Sequence, residues 1–333
     1  MDFMLKAYET GTGIELGREE PMTEDNGVEV WRGGVNAWEL DDMGHLNVRY
    51  YGARVVEGLV GLAAALGMPR AFAADGDSTI MIREQHIRFL REARSGAPLF
   101  MTGGVINIGD CEAQFLMQLW HANSGERAAT YRLKVAHVTA GDGRPFAWSK
   151  RTLEAADRLM ISTPSQAAPR SVGDEPVTTI ASLQAAEQMG LTPAASGAFG
   201  AGDCDVFGRM RPELVIGRIS DGMPNLMSGM RPPAPAQESG LPPRVGGAVL
   251  EYRLIHWDWP RAGDRFVVRS GVAGVAERAQ TLLHWMLDPA TGRPWATGEA
   301  VAISLDLEAR KIVPYTPEHR AFVQSRIIPG LAL

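Results

Sequence analysis

The stretch WELDDMGHLNVRYYGARVVEG sets the acids Glu39, Asp41 and Asp42, then Gly44, His45 and Asn47, directly ahead of a run that reads as helix. Its pattern is DxxGHxNxxYY. Backbone N–H groups at a helix start have no intrahelical acceptor and can receive an oxyanion. The local dipole also favours an ionised carboxylate there by about 0.3–1 kcal/mol. An acid in this motif would neighbour an oxyanion hole at the helix start, and Gly44 would let a ligand carbonyl approach the backbone. Such a site suits attack on an acyl carbon. The competing reading is structural. Asp is common in turns and caps ahead of helices, and His45 suits a loop-ordering hydrogen bonder because no orienting partner is visible beside it.

The element that must position this motif is the helix behind it. Tyr51, Val55, Val56, Leu59, Leu62 and Leu66 recur at spacings of three and four, which predicts one apolar face on a helix over 46–66. Runs rich in Ile, Val, Leu, Phe and Trp follow over 79–90, 99–108, 114–121 and 129–138, divided by Gly-bearing turns, and read as strands. In the last run Tyr131, Leu133 and Val135 alternate with Arg132 and Lys134, the period of a sheet with one buried face.

The pattern occurs twice. CDVFGRMRPELVIGRISDG repeats the motif and helix, with Asp41 matched by Asp205, Gly44 by Gly208, Arg54 by Arg218 and Gly58 by Gly222, each 164 positions on. Past a longer loop the offset becomes 167, pairing Glu84 with Glu251, Arg94 with Arg261, Gly104 with Gly271 and Thr130 with Thr297. PFAWSKR from Pro145 is matched to PYTPEHR from Pro314. The second helix is expected to start at Pro212 and to end at Gly222 and Pro224. The reading is an N-terminal segment 1–26, a module over 27–148, a linker 149–194 with helical pieces, and a second module over 195–333 closing in a C-terminal helix. Each module is an α+β unit in which an antiparallel sheet wraps around a long central helix.

Composition narrows the function. With 39 Asp plus Glu against 33 Lys plus Arg, the net charge of −6 is the wrong sign for tracking a phosphate backbone, so no nucleic-acid partner is expected. The two cysteines, Cys111 and Cys204, are too few for a disulfide framework and lack zinc or redox spacing, which fits a reducing, cytoplasmic setting. The longest apolar stretch, 59–68, is far short of a membrane span, and residues 1–13 lack the pattern of an export signal. No membrane partner and no metal are expected, since neither HExxH nor a His/Cys set of zinc spacing is present.

The duplicated DxxGHxN segment ahead of a long helix, with strands following, resembles the hotdog-fold acyl-CoA thioesterases of the 4-hydroxybenzoyl-CoA thioesterase class. The resemblance covers both modules and implies a double hotdog acting on an acyl-CoA, or an acyl-carrier-protein conjugate, with no cofactor beyond the coenzyme A of the substrate. It gives Asp41 the role of nucleophile or general base, with Glu39 at the position of a preceding acid, and implies an oxyanion hole of N–H groups in the turn around Asn47 to Arg49. In the second copy Asp203 and Asp205 take these two positions, but Arg209 stands where His45 does and Arg211 where Asn47 does. The implied site is Asp41 and Asp205 as catalytic residues, with Gly44, His45, Asn47, Val48, Arg49, Gly208 and Arg209 contacting substrate. A homodimer is expected by analogy. Two alternatives stay open. One is a catalytically silent acyl-CoA-binding or regulatory protein. The other is a hotdog hydratase or dehydratase, whose GDxNPxH-like segment is not found.

Several features are assigned no chemistry. GTGIELG from Gly11 and SGAFGAGD from Ser196 read as Gly-rich loops, and Arg88, Arg91 and Arg94 as a solvated sheet edge. His86, His121, His137, His256, His284 and His319 read as surface or strand residues. The Pro-rich loop 231–244 lies where the second copy gains its three residues and reads as a stiff surface loop; it would set acyl-chain length if it covered a pocket made with the first module.

Overall fold

The computed structural model describes residues 26–228 and 245–333. The Gly11 loop, the opening segment and the Pro-rich loop lie outside the described residues. The chain divides into two compact units. Of the described residues, one unit holds 26–47, Arg54–Met81 and Ile87–Ala168; the other holds Val48–Ala53, Ile82–His86, 169–228 and 245–333. No described helix is long and apolar enough to cross a membrane.

In the first unit β1 (Val28–Gly34) leads through a 3₁₀ turn, Ala37–Glu39, and the motif loop into α1 (Val48–Ala65). Then come β2 (Ser78–Phe89), β3 (Pro98–Ile108), β4 (Glu112–His121), β5 (Arg127–Thr139) and α2 (Lys150–Arg158), with strand order β1-β3-β4-β5-β2. The predicted apolar face of α1 is the buried one: Val55, Leu59, Leu62 and Leu66 are almost fully enclosed. A Cβ on Gly58 would fall 2.5 Å from Met101 Sδ, so the missing side chain sets how closely α1 lies on the sheet. β1 was not foreseen. Four of the seven residues of VEVWRGG are glycine or charged, and as an edge strand it pairs, among the described residues, only with β3, so it needs no continuous apolar face.

The second unit contains α3 (Leu183–Gln188), β6 (Thr192–Ala198), a 3₁₀ turn Ala201–Asp203 and α4 (Glu213–Ser228). It continues through β7 (Val245–His256), β8 (Arg265–Val275), β9 (Gln280–Leu287), β10 (Pro294–Asp306), β11 (Lys311–Val313) and α5 (Pro317–Gln324). Its strand order is β7-β10-β9-β8-β6, with β11 on β10. Two helix ends need correction. Pro212 lies just before α4 and not within it, and α4 runs past Gly222 and through Pro224 to Ser228. The proline removes one N–H from the ladder. Contacts across the helix offset this: Gly222 lies so close to β6 that a Cβ would be 3.0 Å from the Ala194 backbone, and the Asn225 side-chain amide donates to the Ala194 carbonyl at 2.8 Å.

Strand register shows the duplication in detail. Gly104 opposite Leu116 is matched by Gly271 opposite Leu283, and Met117 opposite Tyr131 by His284 opposite Gly298. The bulges recur at the same places, between Val105 and Asn107 and between Val272 and Gly274. Helices α2 and α5 correspond too, their N-caps being Ser149 and Thr316. This offset of 167 corrects the sequence match of Pro145 with Pro314, which is two residues out of register.

The linker is held by charged side chains. In the first unit the Arg88 guanidinium donates to the carbonyls of Ser165 and Ala168 at 2.9 and 3.1 Å. Arg88 is therefore buried and not part of a solvated edge, whereas Arg91 pairs with Glu126 and Arg94 is largely exposed. In the second unit the Glu251 carboxylate accepts from the backbone N–H groups of Arg170 and Ser171 at 2.8 Å and contacts His86 Nε2 at 2.7 Å. Arg253 joins Glu84 at 2.8 Å to the carbonyl of Glu175.

Candidate active site

The motif loop is built around two carboxylates with different tasks. Glu39, 4% exposed, accepts from the Asn36 backbone N–H at 2.9 Å and forms an ion pair with Arg54 at 2.5 Å. Arg54 is one helical turn into the buried part of α1, so this pair ties the loop to the helix. The backbone of Glu39 contributes as well, its carbonyl accepting from Asn47 N–H at 2.9 Å. Asp41 is half-buried and folds the loop on itself. Its Oδ1 accepts from the backbone N–H groups of Met43 and His45, both at 2.9 Å, while Asp41 N–H donates to the His45 carbonyl at 2.7 Å. Gly44 closes the turn at φ +78°, a region unfavourable for a side chain. Leu46 N–H then docks the loop on the Ala93 carbonyl at 2.8 Å.

The second copy repeats this wiring. Asp205 Oδ1 accepts from Phe207 and Arg209 N–H at 2.9 and 3.0 Å, Gly208 sits at φ +76°, and Arg211 N–H donates to the Asp203 carbonyl at 3.0 Å. Met210 N–H docks on the Pro260 carbonyl at 2.7 Å. The anchoring pair is looser, Arg218 lying 3.4 Å from Asp203 with both side chains partly exposed. Burial pushes the neighbouring Cys204 thiol up, and the Asp205 charge adds to the shift, so no thiolate is poised there.

Asp41, Gly44, His45 and Asn47 thus share one loop of the first unit, and Asp205, Gly208 and Arg209 share one loop of the second. Val48 opens α1, and Arg49 lies against α4, its Cδ 3.0 Å from where a Cβ on Gly217 would be. One expectation changes. The Asn47 N–H is occupied by the Glu39 carbonyl, so it cannot belong to an oxyanion hole in this arrangement. The copies differ in the side chain that follows the turn. His45 is buried with Nε2 3.4 Å from Glu92 Oε2, whereas Arg209 is buried beneath the Phe207 ring at 5.6 Å. Glu92 supplies the partner for His45 that the sequence did not reveal. It lies next to Ala93, to which the loop docks, and in sequence it is hidden within the charged run IRFLREAR.

A long central helix on an antiparallel sheet, entered through a glycine turn capped by a carboxylate and present twice, defines a double hotdog. The chain belongs to the Thioesterase-like superfamily, whose family model matches residues 35–156 and again 199–323. Solved structures of the same fold include an acyl-ACP thioesterase from Bacteroides thetaiotaomicron, with 13% identity, TM-score 0.60 and coverage of 84% of this chain and 100% of the other. A 12:0-ACP thioesterase from Umbellularia californica is 9% identical, TM-score 0.60, covering 82% of this chain and 93% of the other. A protein assigned as an oleoyl thioesterase, from Lactobacillus plantarum, is 10% identical, TM-score 0.61, covering 84% and 98%. No curated protein sequence matches the chain.

Proposed function

We propose that the protein hydrolyses an acyl thioester, of coenzyme A or of an acyl carrier protein, at the first motif loop. The observation that carries this reading is the state of the Asp41 carboxylate. One oxygen is fixed by Met43 and His45 N–H, which orients the group, and Oδ2 has no hydrogen bond among the described residues. Family membership supports the reaction class, and the full-length neighbours named for acyl-ACP substrates support including carrier-protein conjugates.

In the simplest mechanism Asp41 Oδ2 takes a proton from water as the oxygen attacks the thioester carbon. Backbone N–H groups of the first turn of α1, which have no intrahelical acceptor, stabilise the resulting oxyanion. Collapse expels the thiolate, which takes up the proton, leaving a carboxylic acid and a thiol. Direct attack by the carboxylate gives an anhydride that water then opens, with the same products. Glu92 holds His45 beside the loop, where the imidazole contacts the acyl or pantetheine portion of the substrate. Asp205 has the same backbone bonds but is followed by Arg209 and Arg211, so its role is structural.

The test is thiol release from panels of acyl-CoA and acyl-ACP by wild type, Asp41→Asn and Asp205→Asn. Loss of a general base predicts a fall of about 10²–10⁴-fold for Asp41→Asn and near wild-type rates for Asp205→Asn. Equal rates in all three refute the assignment. Tight acyl-CoA binding without turnover would favour a silent binding protein.

A further inference from the structure

The segment after β7 that receives the second motif loop carries two buried N–H donors with no acceptor. His256 ends β7 and is 4% exposed. The Gln85 side-chain nitrogen lies 3.1 Å from His256 Nε2; with the amide donating there, the imidazole proton sits on Nδ1. That Nδ1 is buried and has no partner among the described residues, and neither has the buried indole Nε1 of Trp259. The two rings are stacked, with centroids 4.7 Å apart and planes 6° from parallel. Burial, reinforced by the Arg83 charge, lowers the His256 pKa to about 3, so the ring is a neutral donor at physiological pH. A buried donor left without an acceptor is costly, and here two such donors lie in adjacent stacked rings.

Their place in the fold supplies the second argument. Pro260, next to Trp259, accepts the hydrogen bond that docks the second motif loop. Trp259 is also the repeat equivalent of Glu92, the residue that meets His45 beside the first loop. At this position the first copy carries a carboxylate that meets its motif loop, and the second carries a neutral donor in the segment on which its motif loop docks.

We propose that His256 Nδ1–H and Trp259 Nε1–H form a binding site for a carbonyl oxygen of an acyl-pantetheine chain, making the second module a substrate-binding copy and not a second hydrolytic one. The proposal rests on the reading of the protein as acting on acyl thioesters. The carbonyl could come from the acyl group or from a pantetheine amide, and both offer the same neutral acceptor.

The experiment uses the full chain with ¹⁵N-labelled indoles. Eight tryptophans give eight indole signals. Trp259 is assigned by the signal lost in Trp259→Phe or, should that variant not fold, by its nuclear Overhauser contact with the His256 ring in wild type. The probes are a non-hydrolysable S-(2-oxoalkyl)-CoA and an S-alkyl-CoA of equal chain length that lacks the acyl carbonyl. A saturable downfield shift of the Trp259 signal is expected, together with about tenfold weaker probe binding in His256→Phe, the loss of one hydrogen bond. A shift with the ketone alone assigns the acyl carbonyl, and a shift with both probes assigns a pantetheine amide. A Trp259 signal unmoved by saturating amounts of both probes overturns the proposal. Thiol release in the same preparation is scored separately. Turnover without a shift rejects the donor site alone, and a shift without turnover rejects hydrolysis alone.

Discussion

The duplication provides an internal control for separating what Asp41 does for the loop from what it does for chemistry. Asp41 and Asp205 each accept two backbone hydrogen bonds, at 2.9 and 2.9 Å and at 2.9 and 3.0 Å, and each precedes a glycine at positive φ. Replacement by Ala removes both acceptors at either site. Hydrogen bonds to a charged acceptor contribute about 1.5–3 kcal/mol each. Both carboxylates are only half-buried, so water re-solvates the freed N–H groups and the net cost should be about 2 kcal/mol. Replacement by Asn keeps an oxygen acceptor and removes the charge, for about 1 kcal/mol. In urea titrations followed by tryptophan fluorescence, the Ala variants should therefore lose similar stability at positions 41 and 205, with the Asn variants losing less. Thiol release should part the two sites: Asp41→Asn loses about 10²–10⁴-fold while Asp205→Ala, though less stable, keeps its rate below its unfolding transition. An Asp41→Asn enzyme with wild-type turnover would refute the chemistry. Unequal costs for the two Ala substitutions, by more than about twofold, would refute the claim that the two carboxylates carry equivalent backbone hydrogen bonds.

Further outcomes follow from the same wiring. Arg54→Met strands the buried Glu39 carboxylate and should cost about 3–5 kcal/mol in denaturant melts, whereas Arg218→Met, at a looser and wetter pair, should cost under about 1 kcal/mol. Ala at Gly44 or Gly208 meets no crowding within hydrogen-bonding range of the loop but must adopt positive φ, so each should lose about 1–2 kcal/mol, with equal values in the two copies. Burial pushes the Glu251 carboxyl up, but the His86 contact and the Arg170 and Ser171 N–H groups outweigh it and hold the group below the usual range. Its folded pKa is thus depressed, so its stabilisation is present above the ordinary carboxylate pKa and is lost as pH falls through the folded value; Glu251→Gln should flatten that acid limb in melts across pH. Burial raises the Glu299 pKa, Arg253 opposing, which gives the opposite sign. Its ionisation destabilises the fold at neutral pH and the penalty fades as pH falls, so Glu299→Gln should raise the melting temperature at pH 7 more than at pH 4.

Local pattern made much of the architecture legible. The α1 stripe is nearly continuous, and β2 to β5 are long runs whose apolar residues exceed what a loop would carry, so their limits fell within about two residues of the observed ones. β1 and β6 escaped because VEVWRGG and TPAASGA are edge strands whose pairing depends on a neighbour and not on their own side chains. Pro224 by its strong local rule predicts a stop, but close packing of Gly222 on β6 overrides it.

The amino-acid order alone determined that the chain is a duplicated module, that each copy places an acid, a glycine and a turn before its central helix, and that the two motifs diverge at His45 and Arg209. These are statements about residue type and spacing, which local sterics and periodicity translate directly. Tertiary structure decided which groups meet. Glu39 finds Arg54, His45 finds Glu92, Glu251 grips the linker at Arg170 and Ser171, and His256 meets Gln85 and stacks on Trp259. Pairings such as Gln85 with His256 and Glu251 with Arg170 join residues dozens to more than a hundred positions apart. Their energies depend on burial and on the direction of single N–H bonds, quantities that exist only once the strands are in register.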